Sequence, residues 1–179
     1  MATSTSVFLQ PLTTEAADYS LIQTIFQQAS TQRFWFQPPL LGAHDVTNFL
    51  KQHTTDDRII SQTIQTSQTP HHGVGLVEII DLDPVARVGE FEIALLNDEN
   101  GHGYAQAAMA QLLQLAFTQL NLHKLYLYVD VTNAPALHIY QKFGFQIEGT
   151  IADQFFAAGA YRDAHYMGLT QADYLNNHH

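Results

Sequence analysis

Gly101 and Gly103 stand two residues apart in Asn-Gly-His-Gly-Tyr-Ala, residues 100–105, immediately before an apolar-periodic stretch. Glycine admits the positive φ and the close backbone approach that a bound anion needs. The first N–H groups of a helix lack intrahelical partners, and the helix dipole adds positive potential there. A glycine turn leading from a strand into a helix therefore suits a diphosphate without help from lysine or arginine. The same turn is also an ordinary way to join a strand to a helix, so taken alone it decides nothing. Four carboxylates form a second set: Glu78, Asp81, Glu90 and Glu92. Glu90 and Glu92 share one face of a strand by alternation. A carboxylate there can take a proton from an amine, directly or through water, or hold a cation; it can equally face solvent. Glu78 interrupts the mostly apolar run 75–81, where burial of an ionisable group must be compensated. Glu78 and Asp81 point to opposite faces unless a bulge intervenes. Tyr140 is a candidate proton donor, or a packed aromatic beside Leu137 and Phe143.

These residues need a scaffold. Residues 90–96 alternate as a strand, with Phe91, Ile93 and Leu95 on one face. Ala105, Met109, Leu112, Leu113, Ala116 and Leu120 follow at steps of three and four, the apolar face of a helix. Residues 124–131 predict a further strand. Asn133 caps a helix over 133–143, and residues 145–151 predict the next strand. Residues 153–161 read as a polar, glycine-bearing connection, and 162–169 as a last strand. Toward the start, 6–10 predicts a strand, and Thr13-Thr14-Glu15 an N-cap for a helix running to about residue 29. Residues 31–39 form an aromatic loop halted by Pro38-Pro39, either a core plug or a substrate wall. A short helix over 44–52 and strands over 58–66 and 75–81 complete the series, with a turn at 68–73. Alternating strands and helices imply one domain over 1–179, an α/β mixed sheet covered on both faces.

With those residues in place, the chain resembles the GNAT-superfamily N-acetyltransferases. Residues 100–105 resemble the family's acetyl-CoA pyrophosphate loop, with Asn100 where Gln or Arg is usual. Residues 133–145 resemble the motif that carries the acid tyrosine. Arg33-Phe-Trp-Phe, Gly75-Leu-Val-Glu, Gly89-Glu-Phe-Glu-Ile, His138-Ile-Tyr and Tyr161-Arg-Asp-Ala make the chain most similar to the spermidine/diamine N-acetyltransferases. The resemblance implies a GNAT fold, mostly antiparallel, with helices on both faces. It implies acetyl-CoA as co-substrate, bound at Ile93, Ala94 and Leu95, at Asn100, Gly101, His102, Gly103, Tyr104 and Ala105, and at Asn133 and Tyr140. Tyr140 then protonates the leaving thiolate and Glu90 serves the amine, with Glu78, Asp81, Glu90 and Glu92 holding a cationic acceptor. Two alternatives stand beside a polyamine acceptor: a protein N-terminal acetyltransferase of the ribosomal-protein type, and a non-catalytic acyl-CoA-binding domain. Polyamine enzymes carry several glutamates after the aromatic loop; here 37–45 has one carboxylate, Asp45, so regulatory polyamine binding is not expected.

Composition bounds the same reading. The 179 residues include no cysteine, which excludes disulfides, zinc–thiolate sites and a cysteine acyl-enzyme. A net charge of −10 argues against nucleic acid or an anionic membrane surface as partner and favours a cationic small molecule. Ten histidines show no ligand spacing, and no metal is expected; His178-His179 resemble a tag remnant. The expected location is cytoplasmic, and a homodimer is among the expected states.

Overall fold

The computed structural model of the chain describes residues 7–36, 42–67 and 73–177. Ser6, Pro38-Pro39, residues 37–41 of the carboxylate-poor loop, the 68–72 turn with His71-His72, and His178-His179 lie outside them. Seven strands form a sheet: β1 (Val7–Pro11), β2 (Ile60–Thr66), β3 (Gly73–Asp83), β4 (Val88–Leu95), β5 (Lys124–Asp130), β6 (Gln146–Ala157) and β7 (Ala160–Thr170). Their spatial order is β1-β2-β3-β4-β5-β7-β6. All neighbours are antiparallel except β4 and β5, which are parallel. This is the expected mixed, mostly antiparallel sheet.

Strand alternation divides the core into two layers. Val77, Ile79 and Phe91 meet Ala108, Met109, Leu112 and Leu113 of α4 (Tyr104–Gln114) on one face. On the other, Leu76 packs with Leu21, Ile22, Ile25 and Phe26 of α1 (Ala16–Gln27) and Val46 and Leu50 of α3 (Ala43–Thr55). Two apolar stripes at helical spacing thus cover both faces of the sheet. The end of α4 widens into a π-turn over Leu115–Gln119, which keeps Ala116 and Phe117 buried.

Several local expectations are corrected. Residues 153–161 are not a connection. β6 runs on to Ala157 and β7 begins at Ala160, so only Ala158 and Gly159, both at positive φ, turn the chain. Part of the aromatic loop is helical: α2 (Ala29–Phe34) follows α1 after Gln28, which adopts an extended conformation. Residues 171–177, for which no helix was expected, form α6, anchored by buried Tyr174. Helix α5 (Ala134–Lys142) lies where expected, with Asn133 at its cap.

Candidate active site

β4 and β5 pair only at Val88–Lys124, Gly89–Leu125 and Glu90–Tyr126. Beyond these positions β4 continues to Leu95 and β5 to Asp130, so the two strands separate. The gap opens a cavity of about 260 Å³ with Ile93, Ala94 and Leu95 on one wall and Tyr128 and Val129 on the other. Ala105 and Met109 of α4, Tyr140 of α5, and Phe34 and Trp35 at the end of α2 also line it. Beyond Glu90, β4 has no β5 partner, so that edge can accept an extended amide-bearing chain as if it were a strand.

The glycine turn sits at one end of this gap. Gly101 and Gly103 have φ of 83° and 79°, the left-handed region that an L-residue enters only at a cost. Gly103 is the N-cap of α4, and no side chain caps the helix there. The first N–H groups of α4 are thus left for an external acceptor, with the helix dipole behind them. A Cβ placed on Gly101 would meet nothing within 4 Å, so backbone conformation alone requires the glycine there. Asn100 lines the cavity, but its side-chain amide donates to the Asn97 carbonyl at 3.0 Å, bracing the loop rather than reaching outward. His102 stacks on Tyr104 at 5.4 Å. Lys142 donates to Gln106 Oε1 at 2.6 Å, which brings a cation to the first turn of α4 that sequence reasoning did not assign.

Tyr140 is held by the corner between β5 and α5. Asp130, 1% exposed, accepts at Oδ1 from the Thr132 N–H and hydroxyl, both at 2.7 Å. Its Oδ2 accepts from Arg162 Nε at 3.2 Å. Asn133 Oδ1 then accepts from the Ala136 N–H at 3.3 Å, starting the helix. Asp130 was missed at the sequence level because its partner lies on β7. Arg162 belonged to a quoted motif but carried no assigned role. Tyr140 is a packed aromatic that also faces the cavity. Its ring packs edge-on to Phe91 at 6.2 Å and against Phe145 at 6.1 Å, and it also lines the cavity. Burial, and then the charge of Glu92, push its hydroxyl above the ordinary tyrosine value, so it remains an O–H donor throughout the working pH range.

The four acids divide. Glu78 is fully buried, paired with His53 Nδ1 at 2.6 Å, and its Oε1 also accepts from the Ser61 hydroxyl. Having no surface, it is corrected from an acceptor contact to a buried hydrogen-bonding partner of His53 beneath α3; its Oε2 has no hydrogen-bond partner among the described residues. A bulge does intervene after Ile80: the β3–β4 register shifts there, and Asp81 takes a φ of 49°. That turn brings the Asp81 charge to bear on Glu90. Burial first, and Asp81 second, push Glu90 up to about 7. Glu90 stands three residues from Ile93, ~10 Å along a strand, which leaves it short of a direct contact at the cavity and fits proton transfer through water. Glu92 is adjacent to Ile93, and its charge reaches Tyr140. The face beyond Glu90 carries Tyr126 and Tyr128, whose hydroxyls are pushed up by burial and then by Glu90.

The geometry holds a glycine-capped helix start, a strand edge and a neutral tyrosine hydroxyl around one gap, with Glu90 and Glu92 on β4 outside its lining. Residues 6–146 match the model of the acetyltransferase (GNAT) domain. The spermidine N(1)-acetyltransferase of Escherichia coli K12 is 35% identical over 178 residues, 99% of this chain and 93% of that protein. The spermidine N(1)-acetyltransferase of Vibrio cholerae is 32% identical over 162 residues, 90% of this chain and 92% of that protein. The crystal structure of the V. cholerae spermidine N-acetyltransferase in complex with CoA and spermine superposes with a TM-score of 0.87 at 31% identity, covering 95% of this chain and 98% of that one. With its strand gap, its glycine cradle and this full-length likeness, the chain belongs to the GNAT acetyltransferase family.

Proposed function

We propose that the protein is a cytoplasmic polyamine N-acetyltransferase that moves the acetyl group of acetyl-CoA directly to a primary amine of spermidine or a similar cation. The observation that carries this reading is the parting of β4 from β5 after Glu90, which joins the α4 cradle, the β4 edge and Tyr140 in one cavity. The N–H groups of α4 and Lys142 suit the coenzyme diphosphate, and the edge at Ile93, Ala94 and Leu95 suits its amide-bearing arm. A backbone N–H of that edge polarises the thioester carbonyl and stabilises the oxyanion formed on attack.

The amine arrives protonated and must lose a proton before it attacks. Glu92, beside Ile93, is the nearer acceptor; Glu90, at about 7, receives the proton through water and, with Asp81, attracts the cation. The nitrogen attacks the carbonyl carbon, the C–S bond breaks, and the thiolate takes the Tyr140 proton. Because Tyr140 is raised, a lasting tyrosinate is disfavoured, so its proton is restored from the nitrogen as the amide forms. Without cysteine, transfer passes through a ternary complex. The relatives' names support the polyamine over a peptide acceptor. A second copy of the chain fits edge strand β6, where Ile147 and Ile151 are exposed. The test is free-thiol release from acetyl-CoA with spermidine, spermine, monoamines and N-terminal peptides. Intersecting initial-rate lines with spermidine are expected. Parallel lines overturn the direct transfer, and turnover of peptides alone overturns the acceptor.

A further inference from the structure

Helices α1 to α3 cover one face of the sheet over β2 to β4, and three tyrosines stand on the same face beyond them. Tyr126 and Tyr128 alternate onto it from β5, and Tyr166 of β7 pairs in register with Tyr128. Their ring centroids lie 6.1 Å apart for Tyr126 and Tyr128, 5.4 Å for Tyr126 and Tyr166, and 5.3 Å for Tyr128 and Tyr166. Tyr128 lines the cavity that holds Tyr140. At the other end of the group, Tyr126 is paired in register with Glu90. The trio is therefore a continuous aromatic path from the reaction cavity to a carboxylate. It already takes a cation from within the chain: the Lys124 ammonium lies 5.2 Å from the Tyr166 ring centroid, with its charge matched by Glu148 at 2.5 Å. The 6.1 Å step between Tyr126 and Tyr128 is comparable with the gap between successive amines of an aliphatic polyamine.

We infer that Tyr126, Tyr128 and Tyr166, ending at Glu90, form a cation-binding track for the non-reacting ammonium groups of the acceptor, and that this track makes the enzyme prefer polyamines to monoamines. The inference rests on the polyamine reading above. While one amine sits at the β4 edge, the next ammonium lies over the rings, and Glu90 balances its charge. A monoamine has nothing to place there, so it forgoes the cation–π contact.

The experiment compares kcat/KM for spermidine and for n-butylamine in the intact enzyme and in Tyr126→Leu, Tyr166→Leu and Tyr166→Phe. Removing one ring should raise the spermidine KM about two- to thirty-fold, leaving the n-butylamine kcat/KM and the acetyl-CoA KM unchanged. Tyr166→Phe keeps a π-face and should retain the preference. Should a leucine variant fail to fold, the near-ultraviolet tyrosine difference spectrum of the intact enzyme reads the same contact, appearing with spermidine and absent with n-butylamine. An unchanged spermidine-to-butylamine ratio in folded leucine variants overturns the track. So does a change in oligomeric mass with that ratio intact, which would make the face a contact between copies. If the intact enzyme acetylates no polyamine, the track and the polyamine reading fall together; if it does and the ratio is unmoved, only the track falls.

Discussion

Glu90→Gln should make the protein more stable at alkaline pH while impairing its reaction. Burial and Asp81 raise the Glu90 carboxyl from its ordinary 4.5 to about 7. The folded state thus holds this proton more tightly than the unfolded chain does. The stabilisation this provides is complete below pH 4.5 and is lost as pH rises through about 7. At about 1.4 kcal/mol per pKa unit, the loss reaches ~3 kcal/mol at most. Residual solvent contact at this half-buried position lowers the expected figure to ~1–3 kcal/mol. Glutamine is neutral at every pH and keeps the shape, so the variant escapes the loss. For a chain of this length, ~2–4 °C accompanies each kcal/mol, which puts the gain at ~2–12 °C at pH 8. The assay is urea and thermal unfolding of both proteins at pH 4.5 and pH 8. The gap between them should open with pH, and added spermidine should narrow it at pH 8 by stabilising the ionised carboxylate. A gap that stays constant across that range refutes the reasoning, because it would show that Glu90 is not held above its ordinary value.

Gly103→Val places a β-branched residue at a φ of 79°. The strain of ~1–3 kcal/mol should weaken coenzyme A binding roughly tenfold or more by calorimetry, and unchanged affinity in a folded variant would move the diphosphate elsewhere. Tyr140→Phe keeps the ring against Phe91 and removes the hydroxyl with its proton. Turnover should drop about two to four orders of magnitude with stability little changed, and normal turnover at neutral pH would assign the proton to another donor. His53→Ala strips the buried Glu78 carboxyl of its 2.6 Å partner, for an expected loss of ~1–3 kcal/mol in urea unfolding. A loss under ~1 kcal/mol there would mean that the pair is not desolvated.

The elements around the cofactor end were legible because their signals are local. The alternation of Phe91, Ile93 and Leu95, the paired glycines, the stripe from Ala105 to Ala116 and the Asn133 cap each depend on residues within a few positions of one another. The long β6–β7 hairpin was not legible. Ala158-Gly159 is a weak two-residue turn signal, and the exposed residues of β6 show no clear alternation. α2 was hidden because its aromatic end resembled a loop, and its position depends on packing against α1 rather than on its own pattern.

For the site, residue types and spacing determined that a glycine-capped helix follows a strand, that a tyrosine lies on the next helix, and that acids lie on two neighbouring strands. Tertiary structure alone decided what each does. Glu78 and Glu92 are partners in register, yet Glu78 is sealed against His53, twenty-five residues away, while the charge of Glu92 reaches Tyr140. The bulge at Asp81 turned that side chain's charge toward Glu90. Asp130 met Arg162 across thirty-two residues. Periodicity reports which face a side chain takes, because that is a property of backbone geometry. Burial, field and ion pairing depend on what the sheet brings opposite that face, and strand order and the parting of β4 from β5 arise only when distant segments pack together.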